Sequence, residues 1–344
     1  MTLEYSISAG HPFCMGVMSQ TNGIHIAMPF PESEGKECGM LLYKAGHELA
    51  RIVFPECYKM GEVYVLFINM QMEADYTYLF FCGEEQFTDP YAHIIRGREK
   101  WGRRKEDRPR AAFAEDTFDW EDDMIPYEDS VFYSLHVRGF TKHASSQVSA
   151  RGTFAGLAEK IPYLQQLGIT AIECMPVYEF DEIIPNPAYQ ESLKLRDNGQ
   201  AAYLEEPAWK QRINYWGFGD GETYYMAPKA AYAKDPQHAD RELKLLIRQL
   251  HKNGIEIILQ MYFSPRYTQG YIREVLRYWV SCYHVDGFHL FGTDIPMRLL
   301  GTDPYLKHTK LIHENPEADA VYKGKKIPYY RNLACYGDAF RYDA

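Results

Sequence analysis

The chain has 344 residues, enough for two or three domains, and 46% hydrophobic with 24% charged residues is the composition of an ordinary globular protein. Its 37 basic and 47 acidic residues leave a formal charge of −10, which argues against nucleic acid or an anionic membrane as partner, because phosphate binding needs a positive field. No apolar run approaches the roughly 18 residues of a membrane span, and the start MTLEYSISAGHPFC has no basic segment followed by an apolar run, so a cytoplasmic location is expected.

From Gly23 to about Cys82, the runs GIHIAMP, GMLLYK, ARIVFP, VYVLFINM and YTYLFFC have strand character and recur about every ten residues between turn-forming residues. Such spacing predicts a small β-sandwich, placed at residues 1–110. The basic stretch IIRGREKWGRRKEDRPR and the acidic AEDTFDWEDDM then read as a solvated connection, with 111–128 as the linker.

After Asp129 strands and helices alternate. SVFYSLHV is a strand, and TFAGLAEKIPYLQQLG reads as one helix with a Thr153 cap, Leu157, Ile161 and Leu164 on one face, and Gly168 at its end. AIECMPV, IEIILQMYF, GFHLF and TKLIHE follow as strands, separated by helices that place Leu243, Leu246, Ile247 and Leu250, then Ile272, Val275, Leu276 and Trp279, at helical spacing. Near-continuous apolar strands alternating with amphipathic helices predict a parallel sheet or barrel over 129–344. The polar excursion from Tyr178 to Ile213 reads as a long loop that shapes access to a cleft.

Seven cysteines with no CxxC pair predict reduced thiols, and His284, His308 and His313 have no metal-like spacing, so neither a catalytic metal nor a cofactor is expected. Aromatic residues reach 15%, including 28 tyrosines; flat rings with polar edges suit sugar faces, and serve equally as core packing.

Taken in order, SLHVRGFT, RGTFAGLAEKIPYLQQLGITAIECMPV, NYWGFGDGETYYMAP, GIEIILQMYFSP, VDGFHLFG and TKLIHENP resemble the α-amylase superfamily, in particular its isoamylase and glycogen-debranching branch. The resemblance covers about residues 15 to 315, and FTDPYAHIIRG is similar to the place where that branch joins an N-terminal sandwich to its barrel. It implies an immunoglobulin-like sandwich followed by a (β/α)8 barrel whose site lies at the C-terminal strand ends. Only five strands are counted by Glu314, and the remainder suggests a missing C-terminal region or a partner that completes the barrel; oligomerisation stays open. The implied reaction is retaining cleavage of an α-glucosidic bond by two carboxyls, one nucleophilic and one protonated.

The site motifs depart from that pattern. Where the family has GFRFD, with the nucleophile last, this chain has Gly287, Phe288, His289, Leu290 and Phe291, so a phenyl ring stands for the nucleophile and His289 for its arginine. The family's DVVYNH is matched by Gln260, Met261, Tyr262, Phe263, Ser264 and Pro265. Glu314 occupies the general-acid position, and Phe218 replaces the sugar-stacking tyrosine in a segment, Asn214, Tyr215, Trp216 to Phe218, whose rings suit either stacking or packing.

Three readings follow: a protein that binds α-glucan (glycogen, starch or a maltooligosaccharide) without cutting it; an active glycosidase with carboxylates relocated among Asp220, Glu222, Asp294 and Glu314; or a protein-interaction module.

Overall fold

The computed structural model describes residues 3–11, 15–20, 22–31, 33–102, 108–114, 118, 120, 129–184, 212–219, 221–323 and 332–337, and comprises two antiparallel sheets followed by a parallel one. The five expected runs fold as the strands Gly23–Pro29, Cys38–Lys44, His47–Val53, Val63–Asn69 and Tyr76–Cys82. Strands Ser6–Ala9 and Gly16–Gln20, which carry no apolar run, were not foreseen; they pair with Val63–Asn69 and Gly23–Pro29. Ile24, Ile26, Leu66 and Ile68 of the first sheet meet Met40, Leu42, Tyr78 and Phe80 of the second in one core. Full burial of a side chain of this size stabilises by roughly 1.5–3 kcal/mol.

Arg110–Ala112 pairs with Tyr76–Cys82, so the second sheet runs past residue 110. The basic stretch is not simply a solvated connection. Ile94–Arg96 pairs with Arg110–Ala112, Arg98 forms ion pairs with Asp181 and Glu222, and the Trp101 ring stacks on Tyr232 at 5.5 Å. Local charge pattern misses this because the counter-charges lie more than eighty residues away in sequence. Most of the acidic half of that connection, residues 115–117, 119 and 121–128, lies outside the described residues.

In the parallel sheet the strands run in chain order: Phe132–Leu135, Ala171–Cys174, Glu256–Tyr262, Gly287–Phe291, Lys310–Ile312 and Leu333–Ala334. The five strands counted by Glu314 are all present, and a sixth that was not foreseen follows among the described residues. Leu333–Ala334 is only two residues long, too short for any periodicity to reveal, and is recruited by pairing with the fifth strand. The sheet curls: Lys310 on the fifth strand donates to the Ser130 hydroxyl, just before the first strand, at 2.7 Å. Its convex face is covered by helix Ala239–Lys252, which buries Leu243, Leu246, Ile247 and Leu250, and by helix Gln269–Tyr283, which buries Ile272, Val275, Leu276 and Trp279.

The single helix expected over 153–168 is two, Phe154–Ala158 and Ile161–Gln166. Pro162 has no amide to donate to Ala158 and its ring crowds that carbonyl, so the turn resets. Thr153 caps the first piece, accepting from the Gly156 amide at 3.1 Å.

The long excursion begins and ends in paired backbone: Tyr178–Phe180 with Thr223–Pro228, and Ile183–Ile184 with Arg212–Ile213. Its middle, 185–211, lies outside the described residues. Lys229, with a fully buried side chain, anchors the base, donating to Glu179 at 2.8 Å, Glu182 at 3.0 Å and the Phe180 carbonyl at 2.8 Å.

Candidate functional site

Alternation along the strands aims one set of side chains into the concavity of the parallel sheet. At the bottom Lys310 pairs with Glu256. Above them lies a small apolar layer of Ala171, Ile258 and Ile312, with Phe132 and Ala334 packed against it. The next layer is polar, and the top is aromatic.

Glu173, near the end of the second strand, organises the polar layer. Its side chain is 3% exposed and accepts from His289 Nδ1 at 2.7 Å, from Gln260 Nε2 at 2.7 Å and from the Tyr336 hydroxyl. The parallel ladder places Gln260 beside His289, and Tyr336 follows two residues after the sixth strand, so four strands converge on one carboxylate. Burial alone would raise the Glu173 carboxyl; the hydrogen bonds from His289, Tyr336 and Gln260 outweigh it and hold the group below the ordinary carboxylate range. Burial, with the bond to Glu173 added to it, pushes the Tyr336 phenol well up.

A folded-state value below the unfolded one contributes stability that is complete above the unfolded pKa, about 4.3, and lost as pH falls through the folded value. Glu173→Gln should therefore flatten the acid limb of the stability curve below about pH 4.3. Chemical-denaturation midpoints from pH 2.5 to 7 test this, and an unchanged acid slope would overturn it.

Above Glu173 the concavity is filled by rings. Phe291 lies 4.1 Å from the His289 ring and 5.1 Å from Phe218, and Phe218 stacks on Tyr262 at 5.2 Å. Phe291 is followed by Gly292, at φ +135; a Cβ there would meet the Phe263 carbonyl at 2.3 Å, so only glycine lets the backbone turn against the third strand. Ser264 is buried and its hydroxyl has no hydrogen-bond partner among the described residues, whereas Pro265 is exposed.

The remaining expected residues separate. Asn214 holds its own turn, accepting from the Trp216 and Gly217 amides at 3.2 and 3.1 Å and donating to the Phe218 carbonyl at 3.0 Å. Tyr215 and Trp216 are 49% and 54% exposed and are not core. With Trp101, His136, Arg138 and Met175 they line a cavity of about 500 Å³ at the ends of the first two parallel strands. His136 Nδ1 accepts from the Gly139 amide at 2.8 Å, which leaves Nε2 to face the Tyr215 carbonyl at 3.1 Å and the Tyr232 hydroxyl at 3.0 Å. Burial lowers the pKa of this imidazole, which favours its neutral form.

Glu314 and Asp294 are exposed; Glu222 is ion-paired with Arg98 at 3.3 Å and Arg108 at 3.6 Å; Asp220 lies outside the described residues. Among the described residues, no group of three or more His, Cys, Asp or Glu side chains is placed to hold a metal ion, and no helix is long and apolar enough to cross a membrane.

Sequence reasoning missed Glu173, Tyr336, Trp101 and His136. Glu173 left one sign, a lone carboxylate inside the apolar strand AIECMPV. Tyr336 and Trp101 left none, since both reach the site only through folding.

Comparison with protein-family models gave no match. Among characterised sequences the chain is 28% identical to isoamylase 1, chloroplastic, of Arabidopsis thaliana, over 74% of this chain and 42% of that protein. It is 27% identical to the glycogen operon protein GlgX homolog of Haemophilus influenzae, over 74% of this chain and 47% of that one. The chain thus matches less than half the length of these relatives. Solved structures with the same fold include a mutant pullulanase of Paenibacillus barengoltzii complexed with maltotriose, at TM-score 0.68 and 19% identity over 96% of this chain and 58% of that one. Pullulanase type I of Bacillus subtilis, complexed with maltose, gives TM-score 0.68 at 17% identity, over 96% and 52%. In sequence the chain is thus similar to isoamylases and glycogen-debranching proteins, and in fold to pullulanases.

Proposed function

We propose that this protein binds α-glucan without hydrolysing it. The observation that carries the reading is the state of the concavity: the Phe291 ring, at the place that the resemblance gives to the nucleophile, is packed on His289 and Phe218, and the buried carboxylate nearby, Glu173, is committed to three hydrogen-bond donors. A buried carboxylate held by three donors and roofed by rings is neither exposed to a sugar nor free to move toward one, and retaining cleavage needs two carboxyls about 5–5.5 Å apart on either side of the bond. The pullulanases of the same fold were solved with maltooligosaccharides, which supports a glucan as the ligand.

Exposed rings supply the binding surface in this reading: Tyr215 and Trp216 beside Trp101 in the 500 Å³ cavity offer flat apolar faces with polar edges, the form that suits a pyranose ring. The curled parallel sheet is read as part of a (β/α)8 barrel, and the two antiparallel sheets as an immunoglobulin-like module before it.

Calorimetry with maltohexaose, run beside an overnight reducing-sugar assay on glycogen, tests the proposal. Binding without product is expected, with Trp216→Ala weakening it by about 2–10-fold, the worth of one ring contact. Trp216 is exposed, so the variant keeps its core. Product release, or no binding heat with any maltooligosaccharide, would overturn the reading.

A further inference from the structure

Cys38 and Cys82 stand directly opposite each other on neighbouring antiparallel strands of the second sheet, with their sulfurs 3.2 Å apart. The Gly83 amide donates to the Glu37 carbonyl at 2.8 Å, which makes Glu37 and Gly83 the hydrogen-bonded pair and puts the cysteines at the adjacent non-hydrogen-bonded pair. There the Cα atoms of a ladder approach to about 4.5 Å, inside the range that a disulfide spans. Both are free thiols in this structure, and nothing in the sequence paired these two, which are 44 residues apart.

We propose that Cys38 and Cys82 form a redox-modification site, a dithiol that closes to a cross-strand disulfide on exposure to a small-molecule disulfide of the glutathione class. The two sulfurs differ in access. Cys38 is 1% exposed, and burial, reinforced by the neighbouring Cys82, pushes its thiol up to about 12. Cys82 is half-buried and borders a cavity of about 420 Å³ between the sandwich and the parallel sheet, walled by Phe87, Tyr91, Arg266 and Tyr267. A reagent in that cavity reaches Cys82 first.

The Cys82 thiolate attacks one sulfur of the small disulfide, forming a mixed disulfide and releasing one small thiolate. Cys38 then attacks the Cys82 sulfur; the second small thiolate leaves and is protonated by the proton that Cys38 gives up. Two protein thiols are oxidised by two electrons, and one small disulfide is reduced to two thiols. The new bond staples strand Cys38–Lys44 to Tyr76–Cys82 at the cavity wall, so the redox state sets the rigidity of the contact between sandwich and sheet.

The test is to incubate the folded full chain with oxidised glutathione, block the remaining thiols by alkylation and map peptides by mass spectrometry. The expected result is a Cys38–Cys82 cross-linked peptide as the main intramolecular product, reversed by dithiothreitol, with the melting temperature raised by about 5 °C in the oxidised form. Cys38→Ser should instead trap glutathione on Cys82, and Cys57→Ser, at an exposed position, should leave the cross-link unchanged. Glutathionylation of Cys57 and Cys335 with no Cys38–Cys82 peptide would overturn the proposal. Mapping of the unsubstituted chain decides the matter alone if Cys38→Ser fails to fold.

Discussion

Phe291→Asp is expected to release no reducing sugar from glycogen, although it introduces the residue type that the resemblance implies for this place. The new carboxylate would face His289 instead of an arginine, and His289 Nδ1 is already committed to Glu173. An arginine is charged at every working pH and presents a fork of donors; an imidazole does neither. Gln260 is likewise held by Glu173 through its amide nitrogen, so it is oriented toward that carboxylate and not toward the introduced group. The substitution exchanges a ring packed between His289 and Phe218 for a charge, at an expected cost of about 1–3 kcal/mol. The assay is overnight glycogen digestion with a thermal melt of the same sample. Hydrolysis above the unsubstituted protein by this single change would refute the account of the site.

Lys229→Ala should be the most destabilising substitution outside the apolar core. The ammonium is enclosed with Glu179 and Glu182, whose side chains are 0% and 2% exposed, and with the Phe180 carbonyl. Its removal leaves two carboxylates facing each other in the interior, and the loss of one partner from a buried ion cluster costs about 3–5 kcal/mol. Glu179 keeps the Ala230 amide at 3.0 Å and Glu182 keeps the Gly102 amide at 3.1 Å, so the loss falls toward the lower figure. Urea unfolding at pH 7 measures it, and pairing the change with Glu179→Gln should recover part of the loss. A loss below about 1 kcal/mol would show that water enters and that the cluster is not sealed.

The two effects separate function from scaffold. Lys229 fastens the base of the excursion to Trp101, whose ring lies 5.3 Å from the ammonium, and Trp101 in turn walls the aromatic cavity. A change at Lys229 should therefore weaken glucan binding through the fold, whereas Trp216→Ala should weaken it with the fold intact.

Strand runs such as YTYLFFC and IEIILQMYF, the helix faces of Leu243 to Leu250 and Ile272 to Trp279, and the Thr153 cap were all legible in the sequence by itself, because each rests on local periodicity or capping chemistry. So was the phenyl ring of Phe291 at the end of GFHLF, since a residue's identity needs no coordinates. Only the tertiary structure decided what fills the concavity. The meeting of Glu173 with His289, Gln260 and Tyr336 joins residues up to 163 positions apart, and the strand that delivers Tyr336 is two residues long. The same holds for Trp101 beside Tyr232, Lys229 between Glu179 and Glu182, and Cys38 opposite Cys82. Local pattern records which way a side chain faces along its own element; which distant partner meets it there is fixed by strand register and by the curl of the sheet.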